Sequence, residues 1–199
     1  MRNRVGALML ELCFRELFEW KVMQTDPNPA NYLYEQTQKK LNLLDFGAGR
    51  EFSDEFLSHY IEVIHGAYTS DRDKIIDSSL KLGFLTGEEN REMINAHHTG
   101  VMIVGEPFRT DHPDTLYDFG TADFTEKVVK ILPTMSKHRL TPPPAEVYSL
   151  HKKVVGTYLM CIKLKAKVPA RRIFEETYDN WQRLQRNEPI KPRYDECQD

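Results

Sequence analysis

Gln24-Thr25-Asp26-Pro27-Asn28-Pro29-Ala30-Asn31, followed by Leu44-Asp45-Phe46-Gly47, is the part of this chain whose reading decides the fold. Asp26 and Asn31 stand in the spacing Asp-x-x-x-x-Asn, and Asp45, nineteen residues after Asp26, opens Asp-Phe-Gly. Together these spacings describe a catalytic loop and a metal-binding turn that handle Mg²⁺ and nucleotide phosphates. An Asp on such a loop accepts a proton from a nucleophile or orients it. An Asn five positions on offers a neutral carbonyl oxygen to Mg²⁺, and the Asp before Phe-Gly bridges Mg²⁺ to phosphate. Mg²⁺ is a hard cation that takes oxygen ligands, so two carboxylates and one amide are suitable chemistry.

The intervening residues agree. Tyr32-Leu33-Tyr34 and Leu41-Asn42-Leu43-Leu44 are β-prone runs separated by the polar segment Glu35 to Lys40, which reads as a hairpin. A hairpin here brings Asn31 and Asp45, at its two open ends, close together. Taken singly, each motif is an ordinary Asx/Pro or strand-ending turn; taken together they make a site. A second Asp-Phe-Gly, Asp118-Phe119-Gly120, follows a polar, Pro-containing loop and has no Asp-x-x-x-x-Asn at a matching distance upstream. It reads as a loop and helix-capping segment before a helix start at Thr121.

With 199 residues the chain is long enough for one domain with a substantial core, and 40% hydrophobic with 29% charged residues fits a globular protein. A net charge of −3 gives no basic balance for nucleic acid. The cluster Lys163-Leu164-Lys165-Ala166-Lys167 reads first as a solvated helix end, and second as a surface for anionic lipid or phosphate. Cys13, Cys161 and Cys197 form no Cys-x-x-Cys and are expected as buried thiols of a reducing compartment, with no zinc site. No apolar run approaches the length of a membrane span. Glu11, Glu16 and Glu19 argue against a targeting peptide at the N-terminus, so Leu8, Leu12, Arg15, Glu16 and Glu19 read as an amphipathic helix leading into the catalytic loop.

After Gly47 the pattern is helical. Ser53 caps a helix carrying Phe56, Leu57, Tyr60, Ile61 and Ile64; a second runs from Asp71 to Leu82 and stops at Gly83. Thr86-Gly87-Glu88-Glu89 reads as a capping box opening a third. Thr125 to Ser136 presents Val128, Val129, Ile131 and Leu132 as an apolar face. Pro142-Pro143-Pro144 is a stiff connector, followed by a long, largely buried helix from Ala145 to Lys165 and a last one from about Ala170 to Arg186. The fold class is mainly α with a short β-hairpin, in the manner of the C-terminal lobe of a protein kinase. One lobe over residues 1–187 and a disordered tail over 188–199 complete the expected organisation. Only Ala48 to Phe52 separate Gly47 from the next helix, which leaves no activation segment to dock a peptide. A small molecule, a lipid or water is then the expected phosphoryl acceptor.

The strings Gln24 to Asn31, Leu44-Asp45-Phe46-Gly47-Ala48-Gly49-Arg50-Glu51, Phe84-Leu85-Thr86-Gly87 and His138 to Pro144 together resemble the UbiB family of atypical kinases, the aarF-domain proteins. The likeness is strongest to the mitochondrial branch that supports coenzyme Q biosynthesis, and it covers about Asn3 to Trp181. Gln-Thr-Asp-Pro, where ordinary kinases carry His-Arg-Asp, is a mark of that family. The resemblance implies a kinase-like fold that binds and hydrolyses ATP with Mg²⁺ at the matrix face of the inner mitochondrial membrane. It implies partners among lipid or ubiquinone-pathway intermediates, the biosynthetic complex and the membrane surface, and no nucleic acid. By the same resemblance Asp26 is the catalytic Asp, Asn31 and Asp45 hold the metal, and Phe46 and Gly47 complete the nucleotide-binding turn. Arg50 and Glu51 are structural, with an ion pair bracing the loop.

The sequence lacks a phosphate-covering loop, a strand lysine, a helix glutamate and any Lys-x-Gly-Gln, and it reads as a large lobe without its small lobe, with impaired turnover. Two other readings compete: a non-catalytic helical interaction module, and a small-molecule kinase of the aminoglycoside or choline type.

Overall fold

A computed structural model describes residues 1–111 and 115–192. In chain order the elements are α1 Arg2–Phe18, β1 Val22–Gln24, β2 Tyr32–Glu35, β3 Lys40–Leu43, β4 Gly49–Glu51, α2 Asp54–Thr69, α3 Arg72–Lys81, α4 Arg91–Gly105, β5 Tyr117–Asp118, α5 Phe124–His138, α6 Ala145–Leu164, β6 Lys167–Val168 and α7 Ala170–Gln185. The mainly helical class and the hairpin are as the sequence indicates. Residues fall into two compact units, one of 1–52, 116–121 and 149–199, the other of 53–115 and 122–148.

The first unit holds three two-stranded antiparallel pairs: β2–β3, β1–β4 and β5–β6. The anticipated hairpin forms with Tyr32 opposite Leu43 and Tyr34 opposite Leu41, and it is tighter than read, because Glu35 and Lys40, placed in the turn, pair with each other. The β1–β4 and β5–β6 pairs are too short to show an alternating pattern in sequence, and the reading along the chain missed them. Helix α1 buries Met9, Leu10, Cys13, Phe14 and Leu17. Phe14 packs on Phe174 of α7, and Phe18 meets the Trp181 ring edge-on at 5.8 Å. The anticipated stripe through Leu8 and Leu12 is rotated: both are half-buried, whereas Glu16, read as polar surface, is buried.

The end of α7 corrects the expected tail. Asn180 donates to the Lys191 carbonyl at 3.2 Å and accepts from the Lys191 amide at 2.8 Å. That pair of bonds ties residue 191 to the helix, and residues 193–199 lie outside the described residues.

In the second unit the starts of α2, α3 and α4 have a local cause. Ser53, Asp71 and Asn90 accept hydrogen bonds from Phe56, Lys74 and Met93 amides, satisfying donors that a helix N-terminus leaves unpaired. Asn90 corrects the capping-box reading. Glu89 does bond back to Thr86, at 2.8 Å to its amide, but Gly87 between them has φ +92°, which no helical first turn allows. The four residues form a closed turn, and α4 starts after it. On α5, Val128 and Ile131 face inward whereas Val129 and Leu132 are exposed. Four residues spread over five positions span more than one helical face, so the anticipated apolar stripe is narrower than its composition. A buried His97 bonds Ser79 at 2.8 Å, a core histidine.

Cys13 and Cys161 are buried free thiols. Burial pushes each up to about 12, so at pH 8 only ~10⁻⁴ of either is thiolate. Iodoacetamide at pH 8, followed by peptide mapping, is expected to leave both unmodified in the folded chain. Labelling should appear only at urea concentrations that unfold the first unit.

A candidate nucleotide and metal site

The site is assembled around one side chain that the motif reading treated as a family mark only. Gln24 ends β1, which pairs antiparallel with β4 so that Gln24 faces Gly49 and Met23 faces Arg50. Its amide oxygen accepts from the Asp26 backbone N–H at 3.1 Å, and its amide nitrogen donates to the Asp45 carbonyl at 2.7 Å. The loop of Asp26 and the turn of Asp45 are therefore joined through a single carboxamide. The role needs a donor and an acceptor on one short planar group, which a carboxylate or an aliphatic side chain lacks. Thr25 reinforces the junction: its amide and its hydroxyl both donate to the Ala48 carbonyl, at 3.0 and 2.9 Å.

Asn28 shapes the loop beyond Asp26. Its side chain accepts from the Ala30 amide at 3.0 Å and caps a one-turn 3₁₀ helix, Pro29–Asn31, with Pro at its first position, where no N–H is needed. That turn places the Asn31 side chain beside Asp26, and Asn31 Nδ2 donates to Asp26 Oδ2 at 3.1 Å. The nitrogen must be the atom on the carboxylate, because two oxygens would repel. Asn31 Oδ1 is thereby turned away from Asp26 and stays an acceptor. At the hairpin mouth the Leu44 amide donates to the Asn31 carbonyl at 2.9 Å. This bond brings the backbone beside Asp45 to Asn31, as the hairpin reading anticipated.

Asp45 Oδ1 accepts from the Gly47 amide at 2.7 Å, an Asx turn that leaves Oδ2 as the oxygen able to serve a metal. Asn31 is buried, Asp26 half-buried and Asp45 exposed. This set of hard oxygen donors fits Mg²⁺. Among the described residues no group of three or more His, Cys, Asp or Glu side chains gathers into a metal site of another kind. Phe46 is 72% exposed, so it lies on the surface beside the turn rather than in the core. With exposed Leu33 and Leu44 it leaves apolar surface around the turn. Leu43 is half-buried.

Helix α6 supports the loop from behind. Lys152 Nζ lies 3.9 Å from Asp26 Oδ1. Lys153, 1% exposed, donates to the Gln24 carbonyl at 2.7 Å and to the Tyr32 hydroxyl at 2.8 Å, and pairs with Glu16 at 3.1 Å. Burial pushes the Lys153 ammonium down, but Cys13, Glu16 and Tyr32 together outweigh it and hold it above its ordinary range. Burial raises the Glu16 carboxyl, with Lys153 opposing. Sequence reading missed both residues. The signal was there for Lys153, which falls in the buried α6 stripe Leu150, Thr157 and Cys161 at helical spacing. Arg50, expected to pair with Glu51, donates to Ser149 Oγ at 2.7 Å, bracing β4 against the same helix.

The second Asp-Phe-Gly corrects two details of its reading. Its Asp118 ends a short strand, β5, and in a second departure the next helix begins at Phe124, not Thr121. Asp118 makes the same turn bond, to Gly120 N–H at 2.8 Å, but pairs with Lys167 at 3.2 Å, and Phe119 is 1% exposed.

Comparison with known proteins agrees with this geometry. Residues 1–79 match the model of the ABC1 atypical kinase-like domain. The rat protein named atypical kinase COQ8B, mitochondrial, is 45% identical over 181 residues, 91% of this chain and 34% of the relative. Atypical kinase coq-8 of Caenorhabditis elegans is 43% identical over 185 residues, 91% of this chain and 24% of the relative. COQ8 of Saccharomyces cerevisiae is 39% identical over 177 residues, 89% of this chain and 35% of the relative. The chain thus spans about a third of the length of the first of these relatives. Among solved structures, Rv3197 of Mycobacterium tuberculosis, in its complex with erythromycin, superposes with a TM-score of 0.64 at 19% identity. It covers 88% of this chain and 43% of that one, a likeness of fold. Over about nine-tenths of its length the chain is similar to mitochondrial atypical kinases of the COQ8 group, which fits a fragment of a UbiB-family atypical kinase.

Gly156 gives the α6 support a direct test. A Cβ at this position would lie 2.2 Å from Pro27 Cβ, inside the catalytic loop. In an open helix interior Gly→Ala stabilises by about 1 kcal/mol. Here Gly156→Ala is expected to have the opposite sign, destabilising by about 1–3 kcal/mol through overpacking. Urea unfolding measures the sign, and amide exchange should quicken over residues 26–31.

Proposed function

We propose that this chain carries the Mg²⁺- and phosphate-handling half of an ATP-dependent atypical kinase that sustains ubiquinone synthesis in mitochondria. The observation that carries the reading is the Gln24 carboxamide, which ties the loop of Asp26 and Asn31 to the turn of Asp45. The names of the relatives, mitochondrial atypical kinases of the COQ8 group, support both the class and the compartment.

Asn31 Oδ1 and Asp45 Oδ2 are the atoms offered to Mg²⁺, which when bound neutralises charge on the phosphates of ATP. Phe46 and Gly47 flank the nucleotide, Gly47 by fixing the Asp45 carboxylate through its amide. Asp26 orients the nucleophile and accepts its proton through an oxygen not committed to Asn31. Lys152 Nζ stands beside that carboxylate. The segment after Gly47 passes directly into β4 and then α2, leaving little chain to dock a peptide. The acceptor we infer is a small molecule, a lipid of the ubiquinone pathway or water, at the matrix side of the inner membrane and with proteins of the biosynthetic complex as partners. Among the described residues no helix is long and apolar enough to cross a membrane.

Calorimetry with Mg-ATP and single-turnover hydrolysis decide among the readings. Asp45→Asn is expected to weaken Mg-ATP binding more than about tenfold. Asp26→Asn is expected to spare binding and slow hydrolysis by about 10²–10⁴. Wild-type binding and hydrolysis in both variants would overturn these roles. A wild-type chain without any Mg-dependent nucleotide response would favour the helical interaction module.

A further inference from the structure

Beyond the metal and nucleotide residues, the first unit contains a lysine withdrawn from water in a way its surroundings must justify. Burying an ion pair is weak as a source of stability, because the desolvation penalty offsets the Coulombic gain, and well-packed apolar replacements are often no worse. Lys153 and Glu16 are such a pair, with side chains 1% and 4% exposed. What the ammonium touches suggests why it is there. It holds the carbonyl of Gln24, two residues before Asp26, at 2.7 Å. It also holds the hydroxyl of Tyr32, the residue after Asn31, at 2.8 Å. Both ends of the segment that carries Asp26 and Asn31 are thus fastened to one cation. Glu16 completes the frame from α1: its Oε2 pairs with Lys153 and its Oε1 accepts from the Gln24 amide at 3.2 Å.

We propose that Lys153 is the positioning residue of this site: it sets the separation of Asp26 and Asn31 and, through Gln24, the place of Asp45, without touching metal, phosphate or acceptor. A lysine suits this role better than an apolar residue because its N–H donors bind a carbonyl and a hydroxyl while its charge pairs with a carboxylate. Gly156, one turn further along α6, lets Pro27 sit against the helix, so the same face of α6 fixes the middle of the loop as well as its ends. The assignment rests on the proposed nucleotide site for its functional meaning, but its structural content can be read independently.

The test uses the 199-residue chain and the double variant Glu16→Gln with Lys153→Met, which removes both charges at nearly constant volume. The expected result is a melting temperature close to wild type, with amide exchange at Asp26 and Asn31 faster by about tenfold or more and Mg-ATP binding weakened by a similar factor. Glu16→Gln alone keeps the bonds to Gln24 and Tyr32 and is expected to retain slow exchange. A double variant with native melting temperature and unchanged exchange over residues 24–32 would overturn the proposal, since Lys153 would then be a packing residue only. Should the double variant fail to fold, Tyr32→Phe decides instead. It is expected to quicken exchange at Asn31 and leave Asp26 unaffected, and unchanged exchange at Asn31 would refute the assignment. A wild-type chain that binds no Mg-ATP would remove the nucleotide reading while the exchange result still judged Lys153.

Discussion

A buried carboxamide with all its polar groups satisfied is the constraint on which the site depends. Gln24 uses its backbone N–H on Glu16, its carbonyl on Lys153, its side-chain oxygen on Asp26 and its side-chain nitrogen on the Asp45 carbonyl. Polar groups out of water are expensive unless bonded, so these partners cannot drift independently. If the side chain moves, two loops lose their reference together. Local strand pairing, β1 with β4 and β2 with β3, supplies the coarse arrangement, and the carboxamide supplies the fine one. This gives a physical account of why Gln precedes Thr-Asp-Pro in this chain.

Charge and packing divide the remaining task between them. Lys153 and Glu16 are costly to bury, and their value lies in direction rather than in net stability. Gly156 contributes by having no side chain, which lets α6 approach Pro27 more closely than any Cβ would allow. Around this centre the aromatic contacts of Phe14, Phe18, Phe174 and Trp181 are non-directional and tolerate volume-conserving change. The polar frame does not, because each bond in it has one geometry.

Much of this was legible in the sequence, and for identifiable reasons. The helices and the hairpin announce themselves through period and capping residues, as with Ser53 and Asp71, because those signals are local. The site spacing was legible because the hairpin that joins Asn31 to Asp45 is itself contiguous in sequence. What stayed hidden is non-local. Lys153 reaches Gln24 across 129 positions, and Arg50 reaches Ser149 across 99. Three-residue strands such as β1 and β4 carry no period to detect. Glu16 looked like surface charge, and its pairing with Lys153 stayed hidden, because composition cannot say that two ions will be buried against each other. The capping box at Thr86 failed for a backbone reason, the positive φ of Gly87, that its side-chain pattern does not encode.

The two Asp-Phe-Gly strings show where identity of local sequence stops determining chemistry. Each Asp closes the same turn onto the glycine amide, at 2.7 Å for Asp45 and 2.8 Å for Asp118. The difference lies in what surrounds them. Phe119 packs edge-on against Tyr117 and Tyr158 in the core, so its turn is anchored by burial. Hydrogen bonding from Gly120, with Lys167 beside it, holds the Asp118 carboxyl below its usual range; that carboxylate already has its cation. Phe46 lies on the surface, so packing of its ring does not hold the metal turn. What holds it is the pair of carbonyl bonds, from Gln24 to Asp45 and from Thr25 to Ala48, which come from the loop of Asp26. A turn fastened to its catalytic partner, and not to the core, keeps its geometry relative to that partner when the rest of the unit moves. For the phosphoryl-transfer site proposed here, whose chemistry would be almost wholly positioning and electrostatics, that is the more useful place to be fastened.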